Sequence, residues 1–554
     1  MKIKGAELII RALISEGVDC VFGYPGGAVL DIYDELYKFS AKIKHIATCH
    51  EQGAAHAADG YARASGRVGV VIATSGPGAT NLVTGIANAY LDSTPMVAIT
   101  GNVACPFIGK DSFQEVDITG VTMPITKHNY IVKDVNRLGD VIHEAFAIAR
   151  SGRPGPVLID IPKDIQKGEC EYVEFTRPPA PAPNNGLPAL RQAVELIDGC
   201  ERPYIYIGGG VINSNATQEL LDFADRIDAP IGSSMMGLAA VHHDNPRFLG
   251  MTGMHGKYAA SQVLAEADLL VAVGTRFSDR ATGNKTEFIK GKKVLHIDID
   301  PSEISKNIPA YVALLGDVKT VLQKLLAELK QHNRPAWSQT VQTVKNSPDN
   351  HLEMPPDQLN PETVIKAVRR HAREDTVVCT DVGQHQMWTA QYYEFSRPRT
   401  FITSGGLGTM GFGMGAAIGA CFGTGGRKTV LFTSDGSFHM NMNELATAVS
   451  NQLPLVVVLL NNNALGMVRQ WQTMFFGQRY SSTSLARRTD YTRLAEAMGA
   501  AGFKVATLGQ LEPALAKAFA EPGPALVEVT ISNDDKVLPM IPPNGTIRDI
   551  ILKA

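Results

Sequence analysis

The chain has 554 residues, 44% of them hydrophobic and 19% charged, which suits an ordinary globular protein of about three domains. A net charge of −3 lacks the basic surplus that a nucleic-acid partner calls for, so no such partner is expected. No apolar run nears the roughly 20 residues of a membrane span, and Leu453–Leu460 has only the length of a buried strand, so no membrane association is expected either. The opening MKIKGAELII reads as a charged start to an amphipathic helix, without a signal-peptide core. Cys20, Cys49, Cys105, Cys170, Cys200, Cys379 and Cys421 are scattered and form no C-x-x-C pair, which predicts reduced thiols, a cytoplasmic location and no zinc framework.

Two stretches divide the chain. Arg177 to Ala189 is proline-rich, and a polar stretch from about Gln331 to Pro361 holds NSPDN and MPPDQLNP, giving segments 1–178, 188–335 and 358–554. In the first segment a helix over Gly5–Glu16 leads to a strand over Asp19–Gly23 and the glycine turn that contains Gly27. The next strand, Ile43–Thr48, delivers Glu51 to the start of a small-residue helix, where a capping role is the plainest reading. Strand Val68–Thr74 runs into Ser75–Asn81, a glycine-rich turn that does not match G-x-G-x-x-G and so does not predict NAD. After strand Pro95–Thr100 comes a long loop, Gly101–Ile118, carrying Phe113 and Gln114 in the manner of active-site loops. The segment's last strand ends in Lys163 and Asp164, a pair more often solvated than catalytic.

The middle segment repeats the strand–glycine turn–helix pattern. Pro203–Gly208 enters a triple glycine, Gly250–Gly256 is a second polar turn, and Leu269–Val273 ends in Gly274–Arg280. His296–Asp300 and Gly316-Asp317 supply further polar groups at strand ends, which favours a nucleotide-type cofactor, FAD, over a plain connecting domain. Arg280 stands apart, because a guanidinium suits a substrate carboxylate through paired hydrogen bonds.

In the third segment, strand Thr376–Thr380 leads to Gln384 and His385, and Ser404–Gly415 is a glycine-rich turn holding the bulky Met410. Strand Thr429–Thr433, a helix over Asn443–Asn451 and strand Leu455–Leu460 form a βαβ unit, so Asp435 and Asn461–Asn463 lie at carboxyl ends of parallel strands. A carboxylate, a carboxamide oxygen and a turn carbonyl are hard oxygen donors suited to Mg²⁺ or Ca²⁺ and not to zinc, and Mg²⁺ held by so few groups would complete its shell with water and phosphate oxygens. The N–H groups of Gly436 and Ser437 would face the same phosphate. Asp435 and Asn462, 27 residues apart, resemble the thiamine diphosphate (ThDP) signature, with Ser434 in place of its first glycine. The fold class expected is α/β, with three doubly wound parallel-sheet domains.

GYPGGA from Gly23, HEQGAAHAADGYAR from His50, ATSGPGATN from Ala73, GKDSFQE from Gly109 and SGRPGPVLIDIPKD from Ser151 resemble the large, catalytic subunits of acetohydroxyacid synthase (acetolactate synthase). These are ThDP enzymes, and the resemblance spans essentially the whole chain. It implies decarboxylation of pyruvate and transfer of the two-carbon unit to pyruvate or 2-oxobutanoate in branched-chain amino-acid biosynthesis. Glu51 would hydrogen-bond a ring nitrogen of the aminopyrimidine, and Asp435, Asn462 and the Ala464 carbonyl would hold Mg²⁺. Phe113, Gln114, Gln384, His385, Gly408, Thr409, Gly436, Ser437 and Met467 would surround ThDP, with Met410 as the wedge that bends it. Gly27, Gln114 and Lys163 would line the reacting pocket, Arg280 would face the second 2-oxoacid, and Trp471 would narrow the acceptor pocket. FAD, in a largely structural role, would lie across Arg153, Gly209, Ser234, Met235, Met254, His255, Gly274, Thr275, Arg276, Phe277, Ser278, Asp298, Ile299, Asp317 and Val318. The same resemblance implies a homodimer or homotetramer with sites shared between chains, and a separate small subunit for any feedback control, no regulatory domain being expected after residue 554. Gly415, where relatives usually carry proline, is expected to leave a looser turn, and Ala104, where plant relatives often carry proline in an inhibitor-contacting loop, implies altered inhibitor sensitivity. The competing readings are an FAD-independent catabolic acetolactate synthase, a pyruvate oxidase-type enzyme, and a non-catalytic nucleotide-binding partner.

Overall fold

The computed structural model describes residues 1–175, 188–350, 352–485 and 487–553. Most of the proline-rich stretch Arg177–Ala189 lies outside them. Three six-stranded sheets, each wholly parallel, follow one another along the chain. In the first, the strands stand in the order Lys44–Ala47, Cys20–Tyr24, Gly69–Ala73, Met96–Asn102, Pro156–Pro162 and His128–Ile131. The third repeats that connectivity with Phe401–Ile402, Val377–Thr380, Thr429–Ser434, Leu455–Asn461, Ala525–Thr530 and Ala501–Val505. Central strands such as Leu455–Asn461 are buried along their whole length, as strands covered by helices on both faces must be.

The middle sheet is wound differently: Phe248–Met251, Ile231–Ser233, Pro203–Ile207, Leu269–Val273, Lys293–Asp298 and Val312–Leu315. This is the dinucleotide-binding order, with its reversal between Pro203–Ile207 and Leu269–Val273, where ligands enter such sheets. The polar stretch expected to be a linker holds a helix, Pro335–Lys345, whose Trp337 and Val341 are buried against the middle domain. The Trp337 indole donates to the Pro203 carbonyl at 2.9 Å, so this helix belongs to the middle unit. Its apolar residues are too few to stand out among polar neighbours.

The first and third domains meet through helices Glu51–Ser65 and Phe412–Gly423. Their backbones are so close that a Cβ on Gly60 would lie 2.1 Å from the Ala416 oxygen, and one on Gly419 1.8 Å from the Ala57 oxygen. Gly415 is part of the same seam, since its Cβ would lie 2.6 Å from the Gly53 oxygen and 2.7 Å from the His56 Cβ. The looser turn expected at Gly415 is therefore a tight helix crossing that requires a small residue. One consequence is functional, because these two helices begin next to Glu51 and Met410.

Candidate functional site

Strand Thr429–Ser434 ends directly in a short helix, Asp435–Asn441, so the Gly436–Ser437 turn is that helix's first turn. Ser434 and Ser437 form a reciprocal capping box, which gives Ser434 a role that glycine could not fill. The Asp435 carboxyl is buried at 1% exposure, and its Oδ1 has no hydrogen-bond partner among the described residues. Burial pushes its pKa up to about 6. A buried carboxylate with an idle oxygen is costly unless a cation meets it, so the donor set fits a hard divalent ion. Across the turn, Asn462 Oδ1 accepts from the Ala464 N–H at 3.1 Å, and Asn463 takes a left-handed φ of 53°. This leaves Asn462 and Ala464 lining one small cavity of about 70 Å³ with His385, Met410, Ser434 and Met467. His385 is buried, its Nε2 is unpartnered, and burial lowers its pKa to about 3. It therefore meets any ligand as a neutral ring. Met410 Cε lies 3.9 Å from where a Gly436 side chain would begin. The Gln384 side chain is already engaged with Gln470 and the Asp535 carbonyl, at 2.9 and 3.0 Å, rather than free for a diphosphate.

Two anchors that the sequence does not reveal hold this region. Asp381 accepts the Gly411 N–H at 2.8 Å and the Gly413 N–H at 3.3 Å, fixing the turn after Met410. Asn88 of the first domain accepts from Ser404 at 2.6 Å and from Thr409 at 3.2 Å. The Thr409 hydroxyl is thereby used in the fold.

Glu51 opens its helix as expected, and Asn81 donates to its Oε2 at 2.9 Å. Its Oε1 lies 3.1 Å from the position of a Cβ on Gly78, which only glycine leaves open. The backbone of Gln114 packs on Gly76 of the same turn, and Phe113 beside it is 87% exposed. Lys163 donates to the Gly27 carbonyl at 2.9 Å, so these two expected pocket residues are joined. Glu444 of the third domain, which no sequence motif marks, accepts the His50 N–H at 3.0 Å and the Cys49 N–H at 3.2 Å just before Glu51. The small cavity around Asn462 is lined by third-domain residues alone, without Glu51.

At the reversal of the middle sheet lies a cleft of about 1400 Å³. A Cβ on Gly208 would lie 2.2 Å from the Gly274 oxygen, so both glycines are needed where these two turns meet. Of the residues expected around FAD, Arg153, Gly209, Ser234, Met235, Met254, His255, Gly274, Thr275, Arg276, Ser278, Asp298, Ile299, Asp317 and Val318 line the cleft. Phe277 does not: with φ at 53° its ring turns into the core against Tyr206, Phe288 and His296. Asp298 ends strand Lys293–Asp298, and burial raises its pKa to about 6. Asp317 caps the following helix by accepting the Thr320 N–H at 3.1 Å. The cleft continues past Gly408 to Met467 and Trp471. There the Arg280 guanidinium lies over the Trp471 ring, 5.8 Å from its centroid. The nearest carboxylate to Arg280 is its neighbour Asp279 at 3.9 Å, so the cation is available to an acid in the cleft.

The C-terminal segment binds this region. Ile541 N–H donates to the Met254 carbonyl and Met254 N–H to the Arg280 carbonyl, both at 2.8 Å, and Asn284 N–H to the Gly545 carbonyl at 3.2 Å. Among the described residues no helix is long and apolar enough to cross a membrane, and all seven cysteines are free thiols.

Comparison with known proteins matches residues 3–121 to the N-terminal TPP binding domain of thiamine pyrophosphate enzymes, 190–325 to their central domain and 381–529 to their C-terminal TPP binding domain. The chain is 45% identical to the acetolactate synthase isozyme 2 large subunit of Escherichia coli K12, over 100% of both chains. It is 42% identical to the acetolactate synthase large subunit of Haemophilus influenzae, over 100% of this chain and 98% of the relative. Against the acetolactate synthase large subunit of Corynebacterium glutamicum the identity is 43%, over 99% of this chain and 90% of the relative.

Proposed function

Since the chain belongs to the thiamine diphosphate-dependent family of acetolactate synthase large subunits, we propose that it joins the two-carbon unit left by decarboxylated pyruvate to a second 2-oxoacid, giving 2-acetolactate from pyruvate or 2-aceto-2-hydroxybutanoate from 2-oxobutanoate. The observation that carries this reading is the buried carboxylate of Asp435, its Oδ1 idle, at the end of the strand that pairs in parallel with the one leading into Asn462. Asp435, Asn462 and the Ala464 carbonyl would hold Mg²⁺ against a diphosphate, with the Gly436 and Ser437 N–H groups and the neutral His385 ring on its oxygens. ThDP supplies the nucleophilic carbon and the electron sink that allow CO₂ to leave a 2-oxoacid.

The chain's own residues then position and protect. Glu51 Oε2 is held by Asn81, leaving Oε1 to share a proton with a pyrimidine ring nitrogen. Met410 presents an apolar wedge from a turn tied down by Asp381. Arg280 orients the acceptor carboxylate, and the Trp471 ring beneath it restricts the acceptor's size. The middle cleft suits an extended dinucleotide, FAD, whose phosphates would meet the half-buried Arg276 and Arg153. The absence of Glu51 from the Asn462 cavity supports a complete site built from two copies of the chain, Glu51 from one and the metal ligands from the other. A separate small subunit, implied by the relatives' names, would carry feedback control. Purified protein given pyruvate, ThDP and Mg²⁺ should release acetolactate and show flavin absorption. Acetate or acetaldehyde as the main product overturns the proposal.

A further inference from the structure

Three carboxamides run in a buried line from the expected metal ligand to the C-terminal segment. Asn462 Nδ2 donates to Gln384 Oε1 at 3.4 Å, and Gln384 Nε2 donates to Gln470 Oε1 at 2.9 Å and to the Asp535 carbonyl at 3.0 Å. Gln470 then pairs with both backbone groups of Val537: it accepts the N–H at 2.9 Å and donates to the carbonyl at 3.1 Å. All three side chains are buried. A Cβ on Gly466 would lie 1.9 Å from Gln384 Oε1 and 2.8 Å from Asn462 Nδ2, so a glycine keeps the junction open.

The donor and acceptor ends settle each amide's orientation. Val537 requires the Gln470 oxygen to face its N–H. That oxygen requires the Gln384 amino group, which leaves the Gln384 oxygen for Asn462. The Asn462 amino group is thereby committed to Gln384, and its oxygen is left on the side of the Ala464 turn. From Val537 the same segment continues to Ile541, whose N–H holds Met254, which in turn holds the Arg280 carbonyl.

We infer that Gln470 is a positioning residue that presents the Asn462 carboxamide oxygen to the metal through Gln384 and, with the same side chain, latches the segment that braces Arg280. This rests on the metal site proposed above. Binding of the divalent ion and closure of residues 535–541 are then coupled, each strengthening the other. Groups that orient a metal ligand from behind are worth roughly 10–100-fold in metal affinity.

The test is Mn²⁺ affinity with saturating ThDP, followed by the spin resonance of the free ion, together with hydrogen exchange at residues 535–541. Gln470→Met should weaken Mn²⁺ binding by roughly tenfold and remove any slowing of exchange by the ion. Gln384→Met should match it, and the double variant should lose no more than either alone, because both cut one line. Arg469→Ala is the control. It removes contacts only to the Asn533 carbonyl and Asp534, at 3.3 and 3.2 Å, just ahead of the latched residues 535–541 and without touching the amides, and should leave Mn²⁺ affinity within about twofold. Folded Gln470→Met with unchanged Mn²⁺ affinity, or additive losses in the double variant, overturns the inference. Should Gln470→Met not fold, the Gln384→Met arm decides alone. Wild-type protein that binds no Mn²⁺ in the presence of ThDP overturns the metal site itself, a result distinct from either.

Discussion

The crossing of helices Glu51–Ser65 and Phe412–Gly423 can be tested by one added methyl group. Gly419→Ala places a Cβ 1.8 Å from the Ala57 oxygen and 2.7 Å from both the Ala57 carbon and the Tyr61 nitrogen. Heavy atoms settle at about 3.5 Å, so the helices must part by roughly 1.5 Å. Backbone cannot rotate away as a side chain can, so the cost belongs at the top of the overpacking range, about 3 kcal/mol. For domains of this size that lowers the melting temperature by roughly 6–12 °C. Activity should fall further than stability implies. Glu51 begins one helix and Met410 precedes the other, and a displacement of about 1 Å in a reacting group costs on the order of a hundredfold in rate. Calorimetry and acetolactate formation at a temperature where both proteins are folded separate the two effects. Gly509→Ala is the comparison, since nothing lies within 4 Å of its Cβ, and it should be neutral or slightly stabilising. A melting temperature for Gly419→Ala within about 2 °C of the parent would refute the close-packing argument.

Other outcomes follow from the same geometry. Asp160 is buried between Thr100 and Asn102, and burial raises its pKa to about 7. The folded state therefore holds its proton where the unfolded chain has lost it, and stability falls as pH rises from about 4 to 7. Asp160→Asn should remove that slope and leave the variant the more stable of the two at pH 8, as read by denaturant titration; an unchanged slope contradicts it. Trp471→Leu should shift acceptor choice from 2-oxobutanoate toward pyruvate in a competition assay, with decarboxylation retained. Arg280→Lys should raise the acceptor KM by about tenfold, since an ammonium cannot reproduce the paired contact to a carboxylate. Glu444→Gln leaves the His50 and Cys49 N–H groups facing a half-donor and should slow turnover while sparing metal affinity.

The two loops of the expected metal site were legible because each follows a long, mostly apolar run. Thr429–Ser434 and Leu455–Asn461 read plainly as buried parallel strands, and Asp435 and Asn462 follow from where those strands end. The short strands His128–Ile131 and Ala501–Val505 did not stand out, because edge strands carry mixed residues and no clear period. Asn88, Asp381, Glu444 and Gln470 were invisible for a different reason: each acts on a partner at least 30 residues away through a side-chain bond that leaves no local pattern. Gly415 shows the limit of reading a residue by its neighbours alone. Its requirement comes from Gly53 and His56, more than 350 residues earlier.

The separation of Glu51 from the Asn462 cavity gives the most direct measurement. Glu51→Gln and Asp435→Asn should each abolish acetolactate formation as single proteins. Co-expressed under two tags and purified as the hybrid, they should recover activity, because one of the two sites in each hybrid dimer then has both residues intact, about half the wild-type rate. A hybrid no more active than its inactive parents would contradict a site shared between chains.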